Sequence, residues 1–375
     1  MTHEKRLKIA MIGSKGLPAS FGGIERHVEE IGGRLAARGH EVVVFGRRPF
    51  SASGVYRGMR VRLLPSIPTK NLDTATNSLT ATLTTLFGRY DLVHYHGIGP
   101  SLFSWIPSML GTVTVATIHA PDYRQRKWGP AARYLLRRGE RTAVRHCDAI
   151  IAVSRLMARD LESRYGCEIQ YIPNGANTAG PFPFGEAGRF GIESGGYILT
   201  VGRFIVEKGF HTLIQAFRRV ETDMKLVIAG DARFEEAYAA RLHQLADERV
   251  LFPGYISGPL LDELYAHCSF YVLPSLVEGL SISLLEAMGS GCPVLVSDIP
   301  ENLEVSEGIA ATFERGNEDD LARALREMLR MDGAERERRG MKGRERVERE
   351  YSWDRIADRI EHLYQRLTTG RPGHT

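Results

Sequence analysis

Two successive series of short apolar segments, each alternating with helical stretches, constrain the fold of this chain more than any other feature. The first series lies within residues 8–172 and the second within residues 197–313. Short apolar runs rich in β-branched residues predict buried strands, and apolar residues every three or four positions predict helices. Strands that alternate with helices form parallel sheets covered on both faces. The 375 residues therefore predict two doubly wound, Rossmann-like α/β domains.

Residues 173–196 separate the two series and are rich in proline and glycine, which predicts a linker. We place an N-terminal domain at residues 1–180, a C-terminal domain at 181–350 and a final helical segment at 351–375. Open α/β sheets bind ligands outside the carboxyl ends of their strands. Two such domains facing one another are expected to form a cleft lined by the loops that follow the strands.

Composition restricts the class of protein. The net charge of +4 is modest and does not indicate nucleic-acid binding. Four cysteines without paired spacing predict reduced cytoplasmic thiols, with neither a zinc site nor a disulfide framework. The N-terminal residues lead directly into a strand and do not resemble a signal peptide.

Residues 95–121 contain no charged side chain apart from histidine, and the segment is strongly apolar. A membrane-spanning helix needs about 20 mostly apolar residues. Pro100, Pro107 and Gly111 interrupt the run, and residues 112–118 have the β-branched composition of a strand. The segment is therefore interpreted as a buried strand–helix–strand unit.

The most distinctive segment for function is 274–298, which reads PSLVEGLSISLLEAMGSGCPVLVSD. Glu278 and Glu286 are separated by seven residues, the first in a loop after a predicted strand and the second inside a predicted helix. A carboxylate inside a helix beside apolar residues is costly unless it is paired or binds a ligand. Either glutamate alone would be interpreted as a capping or surface residue. Their spacing within this segment favours a ligand site.

The start of the same helix is a predicted anion site. Free N–H groups and the helix dipole favour negative charge at a helix N-terminus. The N–H groups of Leu280, Ser281 and Ile282 are expected to hold a phosphate there. The Gly254-Tyr255-Ile256 segment follows another predicted strand and is expected to flank a nucleotide base.

Two cations occur in the loop after the predicted strand 197–201. Arg203 and Lys208 lie five residues apart, between the strand and the next helix. Arginine can hold a phosphate with two parallel hydrogen bonds, and lysine supplies a compact charge. Surface cations are common, but this strand–loop–helix position favours a diphosphate site.

The loop after the first strand contains Gly22 and Gly23 directly before a helix. Glycines there allow backbone N–H groups to approach a phosphate or a sugar closely. The alternative is a loop that needs glycine only for its turn. The spacing is neither that of a dinucleotide fingerprint nor that of a P-loop.

Three histidines end two neighbouring predicted strands. His119 follows the strand at residues 112–118, whereas His94 and His96 end the strand before it and share one face. A histidine at such a position is a ligand candidate or a structural residue. We take His119 and His96 as candidates and His94 as structural.

Residues Arg124–Arg145 contain eight basic residues on a helical pattern with interleaved apolar positions. Such a stretch is either a solvated basic helix or a patch that rests on anionic lipid. Both interpretations stay open at this stage.

Several segments together resemble the retaining, GT-B type glycosyltransferases of family 4. Residues 274–298 resemble the E-x7-E signature, and residues 202–209 match the pattern G-R-x-x-x-x-K-G. The first loop resembles that of a bacterial branch reading GLPA-x-x-GGIERHVEE. These motifs, with His119 and Ile172-Pro-Asn-Gly175, occur in the family's order over nearly the whole chain. Leu280-Ser281 and Ala120-Pro121 depart from the usual pattern.

This resemblance implies roles for individual residues. Arg203 and Lys208 would bind the donor pyrophosphate, Glu286 the ribose, and Glu278 the donor sugar near its reacting carbon. His119, Gly22 and Gly23 would contact the donor sugar or phosphate. The implied catalytic residues are Glu278, His119, Arg203 and Lys208. The final segment would form a helix that crosses back to the N-terminal domain.

The resemblance further implies transfer of a hexosyl group from a nucleotide diphosphate sugar to a glycan or polyprenyl-linked acceptor, with retention at the anomeric carbon. There is no D-x-D triplet, so we expect no metal cofactor for the diphosphate. The branch implies cell-surface polysaccharide synthesis by a cytoplasmic protein, with a peripheral position on the inner face of the plasma membrane as the alternative. The alternatives are a catalytically silent nucleotide-sugar binder and another GT-B enzyme, such as a sugar-nucleotide epimerase or a phosphorylase.

Overall fold

The computed structural model describes residues 5–19, 22–48, 50–67, 69, 72–124, 128–178, 180, 182–232 and 236–369. Residues 125–127 of the predicted basic stretch and Pro181 of the predicted linker lie outside this part of the chain. The same holds for Glu235, where the sequence pattern predicts the start of a helix over residues 235–246. The described residues form two compact units, one comprising the chain up to Asn174 together with the segment from Trp353, and the other Gly175–Ser352.

Strands and helices alternate through both units. The strands are β1 (Lys8–Ile12), β2 (Glu41–Gly46), β3 (Gly54–Tyr56), β4 (Met59–Leu63), β5 (Leu92–His96), β6 (Val113–Ile118), β7 (Ala149–Ala152), β8 (Gln170–Tyr171), β9 (Tyr197–Val201), β10 (Lys225–Ala229), β11 (Val250–Leu251), β12 (Phe270–Leu273), β13 (Val294–Ser297) and β14 (Ala311–Phe313). The helices are α1 (Gly23–Ala37), α2 (Asp73–Thr85), α3 (Trp105–Met109), α4 (Pro130–His146), α5 (Arg155–Tyr165), α6 (Phe210–Arg218), α7 (Glu236–Leu245), α8 (Pro259–His267), α9 (Ile282–Gly289), α10 (Pro300–Ser306), α11 (Glu318–Arg330), α12 (Gly333–Arg346) and α13 (Trp353–Thr369).

The first unit contains a sheet of strand order β3-β4-β2-β1-β5-β6-β7-β8. Its strands pair in parallel except for the β3–β4 hairpin. The central strands β5 and β6 are buried along their whole length, as expected for strands covered on both faces. The second unit contains a parallel sheet of order β11-β10-β9-β12-β13-β14. Both sheets confirm the predicted pair of Rossmann-like domains.

The hairpin β3–β4 at the sheet edge is absent from the sequence prediction. In β4, buried and exposed residues alternate at first, with Met59 and Val61 facing inward, so a two-residue periodicity is present but short. The turn at Arg57-Gly58 has positive φ at both positions, 48° and 79°, which suits a tight hairpin. A short edge strand with exposed arginines lacks the apolar run on which the prediction depended.

The apolar pattern of the sequence predicts a helix near Leu79–Phe87. Helix α2 begins at Asp73, six residues before that start. Its first six residues, DTATNS, are mostly polar, and Thr, Asn, Ser and Asp side chains compete for backbone hydrogen bonds and give a weak helical pattern. The prediction identified the helix from its later, more apolar residues only.

The apolar segment between β5 and β6 forms a 3₁₀ turn, Pro100–Phe103, followed by the short α3. The expectation that this unit is buried is wrong for part of α3, because Trp105, Met109 and the adjacent Leu110 are exposed. Among the described residues, no helix has the length and apolar character needed to cross a membrane.

Helix α13 packs on α1 within the first unit. Its Glu361 accepts a hydrogen bond from Arg38 and pairs with His40 Nε2 at 2.7 Å. Burial alone would raise the pKa of Glu361, but the hydrogen bonds from His40 and Arg38 lower it below its ordinary value. These contacts tie the end of the chain to the N-terminal strands and helices.

The units divide after Asn174 and after Ser352, so the sequence-based boundaries at 180 and 350 both fall inside the second unit. Part of the predicted linker is held by α8, where Glu263 Oε1 accepts hydrogen bonds from the N–H groups of Gly185 and Ala187. Glycine and proline content signals irregular backbone, but it does not show which domain that backbone packs against.

Candidate active site

In the second sheet, the order in which strands are added changes direction at β9. From β9 the chain adds β10 and β11 on one side and then returns to place β12 on the other. Ligands of open α/β sheets bind at such a switch point, outside the carboxyl ends of the strands. The loop after β9 carries Arg203 and Lys208, and the loop after β12 carries Glu278.

These two loops are joined by close backbone contacts. The N–H of Leu276 donates to the carbonyl of Glu207 at 2.8 Å. Gly209 has φ +68°, and a Cβ there would lie 2.0 Å from the carbonyl oxygen of Pro274. Only glycine satisfies both the left-handed backbone and this close approach. The glycine in the G-R-x-x-x-x-K-G pattern therefore has a structural reason.

Lys208 and Glu278 meet at the switch point. Lys208 Nζ lies 2.6 Å from Glu278 Oε1, and the side chains are 15% and 10% exposed. Ser275 Oγ donates to the same carboxylate oxygen at 2.5 Å. The lysine and serine fix the carboxylate at the strand end, and the remaining exposure leaves both charges within reach of a ligand. An anion entering the loop would compete with Glu278 for the lysine.

Arg203 lies in the same loop as Lys208 and is exposed. The loop is held against its neighbour by the N–H of Phe204, which donates to the carbonyl of Asp231 at 2.9 Å. The predicted base-flanking segment, Gly254-Tyr255-Ile256, follows β11, and the carbonyl of Gly254 accepts from the N–H of Gly230 at 2.9 Å. The loops after β9, β10 and β11 thus form a continuous rim at one edge of the sheet.

Helix α9 begins beside Glu278. Ser281 is its N-cap, and its hydroxyl accepts a hydrogen bond from the N–H of Leu284. The side chains of Leu280, Ser281 and Ile282 are buried. Helix α9 packs against β12 and β13, and the dipole favours an anion at this helix terminus.

Glu286 lies two turns into α9 and is half-buried. The hydroxyl of Tyr265 donates to its Oε2 at 3.3 Å. Burial and the nearby Glu286 carboxylate raise the pKa of Tyr265 well above its ordinary value, so the phenol remains a donor. Glu286 and Glu278 thus lie on one helix and the loop that leads into it, with different partners.

The first unit has a corresponding switch point between β1 and β5. Gly13, directly after β1, has φ +120°, and a Cβ there would lie 2.3 Å from the carbonyl oxygen of His96. Glu25 Oε1 accepts a hydrogen bond from the N–H of Lys15 at 2.9 Å and so ties the loop to α1. Gly22 caps α1 through its carbonyl, which accepts from the N–H of Arg26. Gly23 is the first helical residue.

Three histidines converge at the switch point of the first unit. His27 lies one turn into α1, His96 ends β5 and His119 follows β6. One ring nitrogen from each lies within 4.8 Å of the others. Burial lowers the pKa of His27 to about 4, although a hydrogen bond to Asn174 acts in the opposite direction. Burial also holds the pKa values of His96 and His119 well below the ordinary value.

His94 has a different environment from its neighbour His96. Its Nδ1 lies 2.5 Å from the hydroxyl of Tyr364 and its Nε2 lies 2.7 Å from Thr117 Oγ1. Both nitrogens are therefore used in packing β5 against β6 and α13, in line with a structural role.

The structure brings Lys208 and Glu278 into direct contact and gathers His96 and His119 in one cluster, while Gly22 and Gly23 lie at the start of the helix that carries His27. Sequence reasoning missed His27, Ser275 and Tyr265. His27 lies within the GGIERHVEE motif and Ser275 within the segment around Glu278, so proximity to a motif was an available signal. Tyr265 had none, because its contact with Glu286 crosses between helices.

Two family models match the chain in succession. Glycosyltransferase Family 4 matches residues 21–179, and Glycosyl transferases group 1 matches residues 189–346. A glycogen synthase of Mycobacterium tuberculosis is 28% identical, with 96% of this chain and 94% of the relative aligned. A D-inositol 3-phosphate glycosyltransferase of Xylanimonas cellulosilytica is 27% identical, with 94% and 93% aligned.

Solved structures share the fold. Sucrose-phosphate synthase from Thermosynechococcus elongatus superposes with a TM-score of 0.82 at 23% identity, covering 98% of this chain and all of that one. Anabaena HepE in complex with UDP-glucose superposes with a TM-score of 0.78 at 20% identity, covering 96% and 99%.

The two doubly wound domains and the two consecutive family matches define a glycosyltransferase with the GT-B fold. Within that class, the chain belongs to the family 4-like glycosyltransferases, as its loop motifs indicate.

Proposed function

We propose that this glycosyltransferase moves a hexosyl group from a nucleotide diphosphate sugar to a glycan or lipid-linked acceptor, with retention at the anomeric carbon. The observation that carries the proposal is the Lys208–Glu278 pair, 2.6 Å apart at the switch point of the second sheet. A lysine held there by a single carboxylate can exchange that partner for a donor phosphate. Glu278 would then face the donor sugar.

In this proposal the leaving diphosphate is stabilised by electrostatics that exist before the reaction. Arg203 and Lys208 supply positive charge, and the N–H groups of Leu280, Ser281 and Ile282 supply the helix terminus. Glu286 binds the ribose, the Gly254-Tyr255-Ile256 segment flanks the base, and His119, Gly22 and Gly23 contact the donor from the first unit. A bound metal is not required for the diphosphate, so transfer should persist after dialysis against EDTA.

Retention is proposed to proceed with departure and attack on the same face of the sugar. Ser275 Oγ donates to the Glu278 carboxylate, which suits a carboxylate that orients sugar hydroxyls rather than one that attacks carbon. Mass spectrometry of the protein quenched during turnover tests this idea. A covalent glycosyl adduct on any carboxylate would reject it.

Donor binding is the first experiment. Thermal shift with UDP-, TDP-, GDP- and ADP-sugars, and with NAD as the control, should show stabilisation by one class of sugar nucleotide. Lys208→Ala should abolish that shift, whereas Lys342→Ala, at an exposed position of α12, should preserve it. Stabilisation by none of them, or by NAD alone, would reject the proposed donor.

Turnover separates an enzyme from a silent nucleotide-sugar binder or an epimerase. The wild-type protein should release nucleoside diphosphate in the presence of acceptor, and Glu278→Gln should lose that release. Stabilisation by a sugar nucleotide without release under any acceptor condition would favour the silent binder. Conversion of the donor sugar without transfer would favour the epimerase.

A membrane-held acceptor is the second part of the proposal, and it would place the protein at the cytoplasmic face of a membrane in cell-surface polysaccharide synthesis. Helix α4 supports it, because its outer surface exposes five arginines beside Tyr134 and Leu135. These arginines are Arg133, Arg137, Arg138, Arg141 and Arg145. Helix α3, which packs on α4, exposes Trp105 and Met109. Arginines next to exposed apolar side chains suit the surface of an anionic bilayer.

Vesicle flotation tests the membrane surface. The protein should float with vesicles that contain phosphatidylglycerol and not with pure phosphatidylcholine. The double variant Arg137→Glu/Arg141→Glu should reduce binding by about tenfold or more, because each basic residue near the surface contributes about 1 kcal/mol. The control Arg330→Glu/Lys342→Glu makes the same charge change at exposed positions of α11 and α12. Equal flotation of all proteins would reject the surface.

A further inference from the structure

The histidine cluster of the first unit, His27, His96 and His119, contains several buried ring nitrogens without hydrogen-bond partners among the described residues. Nε2 of His27, both ring nitrogens of His96 and Nε2 of His119 are buried and have no hydrogen-bond partner among the described residues. His27 and His96 are fully buried. A buried polar atom without a partner is costly. Four such atoms on three convergent side chains point to an occupant.

The tautomer of His27 is set by its other neighbour. Nδ1 of His27 lies 2.9 Å from Asn174 Oδ1. A carbonyl oxygen only accepts, so Nδ1 carries the proton and Nε2 presents a lone pair to the cluster. Metal-binding histidines commonly donate their second ring N–H to a carbonyl or carboxylate, which orients the ligand. Asn174 supplies that support here.

We propose that His27, His96 and His119 bind a single transition-metal ion of the zinc class through one ring nitrogen each. Three neutral imidazoles without a carboxylate match the preference of Zn²⁺, Co²⁺, Ni²⁺ and Cu²⁺ and not that of Mg²⁺ or Ca²⁺. This is the one group of three such ligands found among the described residues. A fourth, open position would hold water.

The geometry requires a small adjustment. Zinc–nitrogen bonds of about 2.0–2.1 Å place neighbouring ligand nitrogens about 3.4 Å apart in a tetrahedral site. The three nitrogens lie within 4.8 Å of one another. A tetrahedral zinc site therefore requires the rings to rotate about their side-chain bonds until the three nitrogens come closer together.

The site has a consequence for activity that rests on the proposed function. His119 is proposed to contact the donor sugar, and coordination takes one of its ring nitrogens. The metal-loaded protein should therefore bind the sugar nucleotide more weakly than the metal-free protein. We therefore expect the ion to inhibit donor binding.

Metal binding is measured directly on the tag-free chain of 375 residues. After dialysis against EDTA and then metal-free buffer, the protein is titrated with Zn²⁺ in competition with a chromogenic chelator, and with Co²⁺ by visible absorption. One ion per chain is expected, with the intense visible bands of tetrahedral Co²⁺. His96→Gln should weaken binding by about 100-fold or more, and Asn174→Ala by about 10-fold. His362→Gln, on the exposed surface of α13, should bind as wild type does.

Binding by wild type that does not exceed that of His96→Gln would overturn the site, and the cluster would then be filled by water. X-ray absorption of the wild-type zinc complex is independent of whether the variants fold, and imidazole nitrogens should dominate its first shell. Sulfur ligands would overturn the proposal by pointing to Cys268 and Cys292, whose Sγ atoms lie 2.9 Å apart in the second unit.

The inhibitory consequence has its own readout. Zn²⁺ should reduce the thermal shift caused by the sugar nucleotide, and EDTA should restore it. Stoichiometric zinc binding with an unchanged donor shift would reject the inhibition and leave the site intact. A protein that binds zinc but no sugar nucleotide would reject the proposed function without affecting the metal result.

Discussion

The two switch points of this glycosyltransferase occupy the same topological position in their sheets and differ in their chemistry. In the second unit, a lysine and a glutamate of opposite charge meet beside β9, with part of each side chain exposed. In the first unit, His27 and His96 are fully buried beside β1, and burial lowers the pKa of each. Position in the fold thus specifies where a site lies, whereas burial and residue type specify what it can bind.

The contrast has a physical origin. A charged pair near the surface remains solvated enough to exchange partners with an anionic ligand. Burial disfavours the protonated form of an imidazole, so a buried histidine is neutral and its unprotonated ring nitrogen offers a lone pair. The second unit is thereby suited to a diphosphate, and the first unit to hydroxyl groups or to a metal ion. Four experiments test this contrast.

The largest effect is expected from removal of the cation at the charged switch point. Lys208→Ala should lower turnover by about 100- to 1000-fold, the range observed when one preorganised donor is removed from a charge-stabilising site. Release of nucleoside diphosphate is the measurement, and Lys342→Ala is the matched lysine control. Turnover within about twofold of wild type would show that the charged pair does not contribute to catalysis.

Acid should destabilise the histidine switch point. An unfolded imidazole takes up a proton near pH 6.5, whereas folded His27 does so only at about 4. The unfolded state therefore binds more protons between these values, and stability that is full above pH 6.5 is lost as the pH falls toward 4. His27 alone should account for about 3 kcal/mol of this loss.

Urea unfolding of metal-free protein at several pH values measures this effect. His27→Gln removes the titrating group, so its free energy of unfolding should fall less steeply over the same pH range. An identical slope in wild type and variant would assign the acid sensitivity to other groups.

The loop contact that builds the charged switch point can be tested by a pair of glycines. Gly209→Ala should cost about 2 to 3 kcal/mol of stability, because the new Cβ meets the Pro274 carbonyl and the backbone has positive φ. Gly195→Ala shares the positive φ, 75°, but its Cβ meets nothing within 4 Å. It should cost only about 1 kcal/mol. Chemical denaturation of both variants measures the difference, and equal costs would remove the close approach as the cause.

The smallest effect concerns the shape of the cation rather than its charge. Arg203→Lys keeps the charge and loses the planar fork that holds phosphate by two bonds. We expect about a tenfold lower kcat/KM for the donor, with Arg330→Lys on α11 as the control. Unchanged kinetics would mean that Arg203 acts as a point charge or lies away from the diphosphate.

Much of the fold follows from local pattern. Strand β9 has the predicted bounds and β6 begins one residue later than predicted, because each is a short apolar run between clear breaks. The hairpin β3–β4 and the beginning of α2 were missed because their patterns are polar and short. The roles assigned to Glu278, Arg203 and Lys208 remain predictions that these variants test, and the roles of Glu286 and His119 remain predictions.

What the sequence by itself determined is the alternation of strands and helices, the two domains and the placement of charged residues after particular strands. Spacing within one strand, loop or helix is preserved on folding, so a local motif such as Glu278 with Glu286 is visible in one dimension. The tertiary structure alone decided that Lys208 pairs with Glu278 across 70 residues and that histidines from three separate elements converge. Contacts between residues distant in sequence depend on the order of strands in each sheet and on how tightly helices pack on the sheets. The spacing of residues along the chain does not contain this information.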